Sequence, residues 1–506
     1  MSAAVRRFHA IDSRDGPRAP REPQTTGISM RLSVKEVRFY MRNVRTRMPF
    51  KYGAATLTSV PILHALMEVE LEDGRRSMGA AADILPPKWF DKDPNKGYEE
   101  NVEDLIFAAR AGARAYGEAG RRPGMVFDIW EDGYAETLKV GDGRGLNHLT
   151  AGHGSTLMER CLIDGLGMGL GKSYHEMLRE NLLGLEFGRI YAELKGVAPS
   201  EVIDVAPLEE IFVRHTVGLA DPIWTAEIGE GERLDDGLPQ SLEEYAEAQG
   251  LTYFKIKVNG DLEGDLERLR AIAGLLDQKV GAYSVTLDGN EQYGEMDSFL
   301  ELLARMAEEE VLAHFFASIL YIEQPLERSI ALSAELSDGI RAASVQRPML
   351  VDESDGDLRV FGEAVALGYR GVSSKNCKGL IKALANRALA RRLGEGYFLS
   401  GEDLMNLPVV ALHQDLVHLA ALGVGHAERN GHHYVRGLDH LSAWERDGCR
   451  ERHGSLYRGL GDSLALDVRR GKIDISSLQG DGLGVGGVVD VEGMVPLDEW
   501  KFESLA

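Results

Sequence analysis

The chain has 506 residues, 44% hydrophobic and 27% charged, with a formal net charge of −23. That length exceeds what a single core organises well, so two domains are expected. The negative charge argues against nucleic acid or an anionic membrane as partner, but leaves room for a small anion held by local cations.

Residues 1–30 carry Arg6, Arg7, Arg14, Arg18 and Arg21, interspersed with Asp12, Asp15 and Glu22, and hold no continuous apolar run. They read as a disordered tail, with a transit peptide as the alternative, and not as a secretory signal. No stretch of the chain approaches the roughly 20 apolar residues of a membrane span. The three cysteines, Cys161, Cys377 and Cys449, form no CxxC pair. That points to a reducing compartment, and a cytoplasmic protein is expected. Cys377 reads as a small buried filler.

Residues 31–190 read as one α+β unit. The segment 31–48 alternates charged and apolar groups, as an edge or hairpin strand does. PFKYGAATLTSV follows and reads as a loop, with Gly53, Ala54 and Ala55 permitting close approach or movement. Then ILHALMEVELEDGRRSMGAAAD reads as strand, Asp-Gly turn, strand. Residues 98–190 are mostly helical, with Val102, Leu105, Ala109, Ala113 and Tyr116 at helical spacing.

From about residue 191 to 455 the pattern changes. Short apolar runs recur at IFVRHTVG, YFKIKV, SVTLDGN, ILYIEQP, MLVDES, GVSSKNC, YFLSGED and VGHAERN, with amphipathic helices between most of them. Strands alternating with helices in this number predict a closed (β/α)₈ barrel. The remainder, 456–506, reads as short strands and glycine turns returning to the N-terminal unit. The expected architecture is thus α/β: a barrel capped by an α+β domain built from the N-terminal part and the C-terminal tail.

Asp288, Glu323 and Asp352 end three successive apolar runs, roughly thirty residues apart. In a (β/α)₈ barrel the strand ends converge on one face, so these acids would share a pocket. Three converging carboxylates need a cation. Their all-oxygen chemistry favours Mg²⁺, with Mn²⁺ as substitute. Lys255 and Lys257 lie two apart on one strand and so share a face. Lys375 ends the run beyond Asp352, and its neighbour Lys378 is expected in the following loop. A lysine on either side of the acids could move a proton on either face of a substrate. A neighbouring cation and a second lysinium would both favour the neutral amine that a base requires.

These segments resemble the enolase superfamily, and within it the muconate-lactonising-enzyme-like subgroup. The resemblance rests on the KIK of Lys255–Lys257, the DGN of Asp288–Asn290, the EQP of Glu323–Pro325, the DES of Asp352–Ser354, Lys375 and the loop PFKYGAATLTSV. It implies that Asp288, Glu323 and Asp352 bind Mg²⁺. Lys257 and Lys375 would then be the acid/base pair, Lys255 an electrostatic helper, and the N-terminal unit a lid. It also implies removal of a proton α to a carboxylate through a metal-stabilised enediolate. Asn290, Glu402, Asp403, Glu428 and Tyr52 are the expected substrate contacts, and a homo-oligomer acting on a small carboxylate is expected.

Some features depart from the family pattern. GEDLMN stands where the mandelate-racemase-like subgroup carries a histidine. The lysine segment is shortened to KNCKG, and the interval from Asp288 to Glu323 is long, suggesting extra helix or loop around His314. His426, His432 and His433 read either as surface residues or as substrate contacts. Two lysines on opposite faces favour racemisation or epimerisation. One lysine with Glu402 or Asp403 as second acid would favour elimination, as in a dehydratase or lyase acting on a sugar acid or other hydroxy acid. A non-catalytic scaffold retaining the barrel is the reading from another class.

Overall fold

Alternating apolar positions carry the first two strands further than the loop reading allowed. The computed structural model describes residues 30–53 and 55–505, so the segment 1–29 lies outside it. β1 (Leu32–Tyr52) and β2 (Ala55–Leu71) form one long antiparallel hairpin, in register from Leu32↔Leu71 to Tyr52↔Ala55. PFKYGAATLTSV is therefore a hairpin tip and not an irregular loop. The pairs Phe50↔Leu57 and Lys51↔Thr56 continue the ladder almost to the turn, and Gly53 adopts φ +48° within it. β3 (Arg76–Ile84) follows across the expected turn at Asp73–Gly74.

Two helices, α1 (Tyr98–Ala119) and α3 (His148–Leu170), cover this sheet, and α2 (Val126–Arg144) packs on them. α3 starts where the Asn147 side chain accepts the Thr150 N–H, and it is buried from Leu149 to Gly167. A helix buried on all sides needs small residues where neighbours cross it. Gly154 supplies one: a Cβ there would lie 1.9 Å from the Ala108 carbonyl oxygen on α1.

The period-2 runs of the second half form eight parallel strands. They are β4 (Glu210–Val217), β5 (Tyr253–Lys257), β6 (Ser284–Asp288), β7 (Ile319–Glu323), β8 (Met349–Val351), β9 (Gly371–Ser374), β10 (Phe398–Gly401) and β11 (His426–Arg429). Consecutive strands pair in order, and β11 returns to β4 from His426↔Phe212 to Arg429↔His215, closing the barrel. Helices connect the strands, and in one of them, Leu262–Lys279, Leu266, Leu269, Ile272 and Leu276 face inward. The long interval before β7 holds a short helix, Ala313–Ala317, at whose start His314 meets Asp277 at the surface.

The C-terminal segment divides its contacts. Lys472–Asp474 pairs antiparallel with the start of β4, whereas Val495–Pro496 pairs with β1. A buried Arg42–Glu445 ion pair, with contacts of 2.9 and 3.1 Å, joins β1 to the helix Ala443–Arg452 that follows the barrel. Among the described residues, no helix is long and apolar enough to cross a membrane.

The α1–α3 crossing predicts a contrast within one helix. Gly154→Ala should destabilise the chain by about 1–3 kcal/mol in urea unfolding, through overpacking. Gly152→Ala should cost far less, because a Cβ there meets only Leu138 Cδ2 at 4.0 Å. Equal effects from the two substitutions would contradict the crossing.

Candidate active site

Side chains alternate across each strand, so residues two apart share the barrel axis. That parity puts Thr216, Lys257, Asp288, Glu323, Asp352, Lys375, Glu402 and Glu428 at the C-terminal mouth, where the barrel strands end. Three of them lie in one row across the sheet, Lys257↔Asp288↔Glu323. Asp352 stands two residues beyond Leu350, the partner of Glu323. Every one of these charged groups is buried.

Lys255, one inward step below Lys257, is the hub. Its Nζ lies 3.0 Å from Asp288, 2.6 Å from Glu323, 2.8 Å from Glu402 and 2.9 Å from Glu428. Burial alone would favour the neutral amine, but the surrounding carboxylates outweigh it and hold the ammonium well above the ordinary lysine range. Lys257 donates to Asp288 Oδ2 at 2.8 Å and Asn290 Oδ1 at 2.5 Å. Lys375 donates to Asp352 Oδ2 at 2.7 Å and rests 4.6 Å from the centre of the Trp89 ring. Its proton is also held against the pull of burial, by Asp352 and Glu323.

The acids divide accordingly. Asp352 is held well below the usual carboxylate range: burial opposes this, but Lys375 and Lys378 prevail. Asp288 is lowered against burial by Lys255 and Lys257. Glu323 goes the other way, pushed well up by burial and by Asp288 and Glu402. Its Oε1 is buried without a hydrogen-bond partner.

Above the acids lies a narrow cleft, with about 40 Å³ of space open to water. Its floor and flanks are Lys255, Lys257, Asp288, Asn290, Lys375 and Glu428. Its roof comes largely from the cap: Phe50, Tyr52 and Leu57 of the hairpin tip, with Ile84, Pro86 and Trp89 beyond β3. The tip is anchored to the barrel side. Phe50 stacks on Tyr434 at 4.1 Å, and Arg47 pairs with Asp236 at 2.6 and 2.9 Å and reaches the His433 carbonyl at 3.1 Å.

Of the expected substrate contacts, Tyr52, Asn290, Asp403 and Glu428 line this cleft. The Tyr52 hydroxyl donates to the Pro87 carbonyl at 2.9 Å. Asp403 accepts the N–H groups of Asn406 and Asn430 at 2.7 and 3.0 Å. Glu402 does not line the cleft. It is turned into the barrel, where Arg214 and Lys255 hold it below the usual range against burial. The three histidines divide from both readings given to them: none is a cleft-lining residue. His426 stacks on Tyr253 inside the barrel, where burial and Arg214 push it down to about 3. His432 and His433 pack against His215 and Tyr245 behind the docked hairpin. Cys377 is buried, and burial pushes its thiol up to about 12.

Lys378 is corrected by the structure. It is buried and not in an outlying loop, and its Nζ donates to Asp352 Oδ1 and O at 2.7 and 2.6 Å. The shortened KNCKG segment makes this turn tight. Gly379, at φ +100°, lets the Glu159 carboxylate of α3 approach the start of the helix Leu380–Leu393. There Glu159 accepts the N–H groups of Leu380 and Ile381. The cap thus fixes the barrel segment that carries Lys375. Sequence reasoning missed Glu159, Arg214, Trp89 and Asn430. For Arg214 and Asn430 a signal existed, since strand parity aims both at the axis.

Among the described residues, no group of three His, Cys, Asp or Glu side chains is gathered closely enough to hold a metal ion as it stands. Ammonium groups intervene, with Lys255 bridging Asp288 and Glu323 while Lys375 and Lys378 hold Asp352. The donor set nonetheless fits a hard divalent cation. All its atoms are carboxylate oxygens, one of them unpartnered, and the Lys255 ammonium stands in as a bridging cation.

Residues 238–456 match the family described as enolase C-terminal domain-like. Comparison with curated protein sequences gives no match. Among solved structures, the fold is similar to that of muconate lactonizing enzyme from Mucobacterium Smegmatis complexed with muconolactone (16% identity, TM-score 0.55, covering 89% of this chain and 96% of that one). It is likewise similar to 2-chloromuconate cycloisomerase from Rhodococcus opacus 1CP (15%, 0.56, 92% and 98%). A third similar structure is the dipeptide epimerase from Enterococcus faecalis V583 complexed with Mg and L-Leu-L-Tyr (14%, 0.55, 89% and 99%). At these identities the likeness is one of fold.

Glu159 gives a pH prediction. Burial raises its carboxyl from 4.5 to about 7, partly offset by the Leu380 and Ile381 amides. A raised folded-state value means the fold binds this proton more tightly than the unfolded chain does. The group therefore costs nothing below pH 4.5, costs progressively more up to about pH 7, and a constant amount beyond. At about 1.4 kcal/mol per unit, the full cost is about 3 kcal/mol. Glu159→Gln removes that dependence. The unfolding free energy of the variant should thus gain on wild type by up to about 3 kcal/mol between pH 4.5 and 7.5. A pH-independent difference would contradict the assignment.

Proposed function

We propose that the chain, whose residues 238–456 match the enolase C-terminal domain-like family, is an enolase-superfamily enzyme that removes a proton α to the carboxylate of a small acid and returns one from the other side. One observation carries this reading. Lys257 and Lys375 stand at the ends of β5 and β9, four places apart in a ring of eight strands, and both line the same cleft. A substrate seated between them presents opposite faces of its α-carbon to two amines. Each amine could then serve as base for one stereoisomer and acid for the other.

The chain's own groups organise this. Lys257 is aimed by Asp288 and Asn290, and Lys375 by Asp352 and the face of Trp89. Lys255 offsets the carboxylates beneath, so that a substrate anion can approach a floor rich in acids. The hairpin tip and Trp89 cover the cleft and exclude water from the charge that develops. Mg²⁺, or Mn²⁺ in its place, held by Asp288, Glu323 and Asp352, would supply positive charge beside the substrate carboxylate and so ease loss of the α-proton. The similar structures named above include a dipeptide epimerase complexed with Mg and a 2-chloromuconate cycloisomerase, which supports the same chemistry.

Racemisation or epimerisation is the product reading this supports. Elimination would need a second acid facing the substrate. Glu402 is turned away into the barrel, and Asp403 already accepts two backbone N–H groups.

Two predictions follow from these roles. Asp288→Asn and Glu323→Gln should each weaken Mg²⁺ binding in titration calorimetry at least tenfold, with circular dichroism unchanged. Undiminished binding in both would remove them from the ligand set. Lys257→Met and Lys375→Met should each lower turnover in both directions by about 10²–10⁴. Each variant should still exchange the α-proton of one stereoisomer in D₂O, and the two should retain opposite isomers. If one lysine controlled exchange of both isomers, transfer across the α-carbon would be refuted.

A further inference from the structure

The cleft has two unlike walls. Every cation that lines it, Lys255, Lys257 and Lys375, lies on the floor or flank. The rest of the lining is largely apolar, with Phe50, Leu57, Ile84, Leu404 and Met405 bearing no charge, and Trp89 rests its ring against Lys375. Lys92, the nearby cation at the edge, is tied to Glu291 at 2.5 Å and to the Asn290 carbonyl at 2.8 Å. A second carboxylate on the substrate would therefore meet no counter-charge at its far end. A chain of hydroxyls would meet no partners there, and each hydroxyl left unpaired costs binding by a factor on the order of ten.

One polar group at the cleft is unspent. Asn430 lines it, is 3% exposed, and has Oδ1 buried without a hydrogen-bond partner. Its Nδ2 points to Glu428 Oε1 at 3.4 Å, which fixes the amide with oxygen as the free end. Asn290, which also lines the cleft, has its oxygen engaged by Lys257 and its amide nitrogen by Glu353. An acceptor in that position calls for a donor on the ligand.

Resting on the α-proton reading above, we infer that the substrate is a monocarboxylic acid with one apolar, uncharged substituent under the cap and a neutral N–H or O–H donor near the α-carbon, received by Asn430. The cap residues select the substituent, and Asn430 sets the register of the α-carbon between the two lysines. Leu57 is one of the apolar residues lining the cleft. It is 1% exposed and belongs to the hairpin tip through its pairing with Phe50.

The test is α-deuteration in D₂O by the full chain with Mg²⁺, across three sets of α-substituted acids. One set carries alkyl or aryl substituents with an α N–H or O–H donor, one carries a second carboxylate, and one is polyhydroxylated. At least tenfold higher kcat/KM for the first set is expected. Preference for the dicarboxylic or polyhydroxy set would overturn this inference while leaving the lysine pair intact. No exchange in any set would overturn the lysine reading and this inference with it. Leu57→Ala should shift the preference within the first set toward bulkier substituents by at least fivefold in kcat/KM, an effect that lost stability alone would not produce, and an unaltered preference would exclude the cap as selector. Asn430→Ala should lower kcat/KM at least tenfold more for acids bearing the donor than for donor-free analogues. Equal losses for both would reduce Asn430 to a structural role.

Discussion

A carboxylate buried without a counter-charge is among the most expensive things a protein can contain, and this barrel gathers several at one mouth. Asp288, Glu323, Glu402 and Glu428 all lie within 3.0 Å of the single ammonium of Lys255. Much of the remaining architecture answers that concentration of charge. Lys257 and Lys375 sit on its two sides, Lys378 takes the other oxygen of Asp352, and Arg214 closes it from below. The cluster is still unbalanced at Glu323, which burial and its acidic neighbours leave the least content to be ionised.

The cap matters because such a site works only when dry. Water would screen the charges on which the proposed proton removal depends. The hairpin tip brings Phe50, Tyr52 and Leu57 over the mouth, and its anchors on Asp236, His433 and Tyr434 come from the barrel side. A second tie runs beneath, from Glu159 to the helix following Lys375. The cap thus touches the barrel both above the mouth and at the helix that begins directly after KNCKG.

The sequence revealed the barrel and its acids for one reason. Strand ends in a parallel barrel carry their chemistry at fixed parity, so acids ending successive apolar runs fall together. The closed ring of eight strands and the placement of Lys257, Asp288, Glu323 and Asp352 follow from that alone. What lay hidden depended on long-range packing. PFKYGAATLTSV looked like a loop because its turn residues outweighed its short ladder, yet the ladder continues to Tyr52↔Ala55. Lys378 looked peripheral because nothing local marks a residue that turns back onto Asp352. Trp89 and Glu159 lie in the N-terminal cap and the groups they touch in the barrel, far apart in sequence, so no spacing rule connects them.

The central claim is that these acids form a cation site for which Lys255 stands in. Anomalous scattering from crystals grown with Mn²⁺ tests it most directly. A single peak within coordination distance of the Asp288, Glu323 and Asp352 carboxylates is predicted, with the Lys255 ammonium drawn back toward Glu402 and Glu428. An undisturbed Lys255 bridge between Asp288 and Glu323, with no peak at the barrel mouth, would contradict the account.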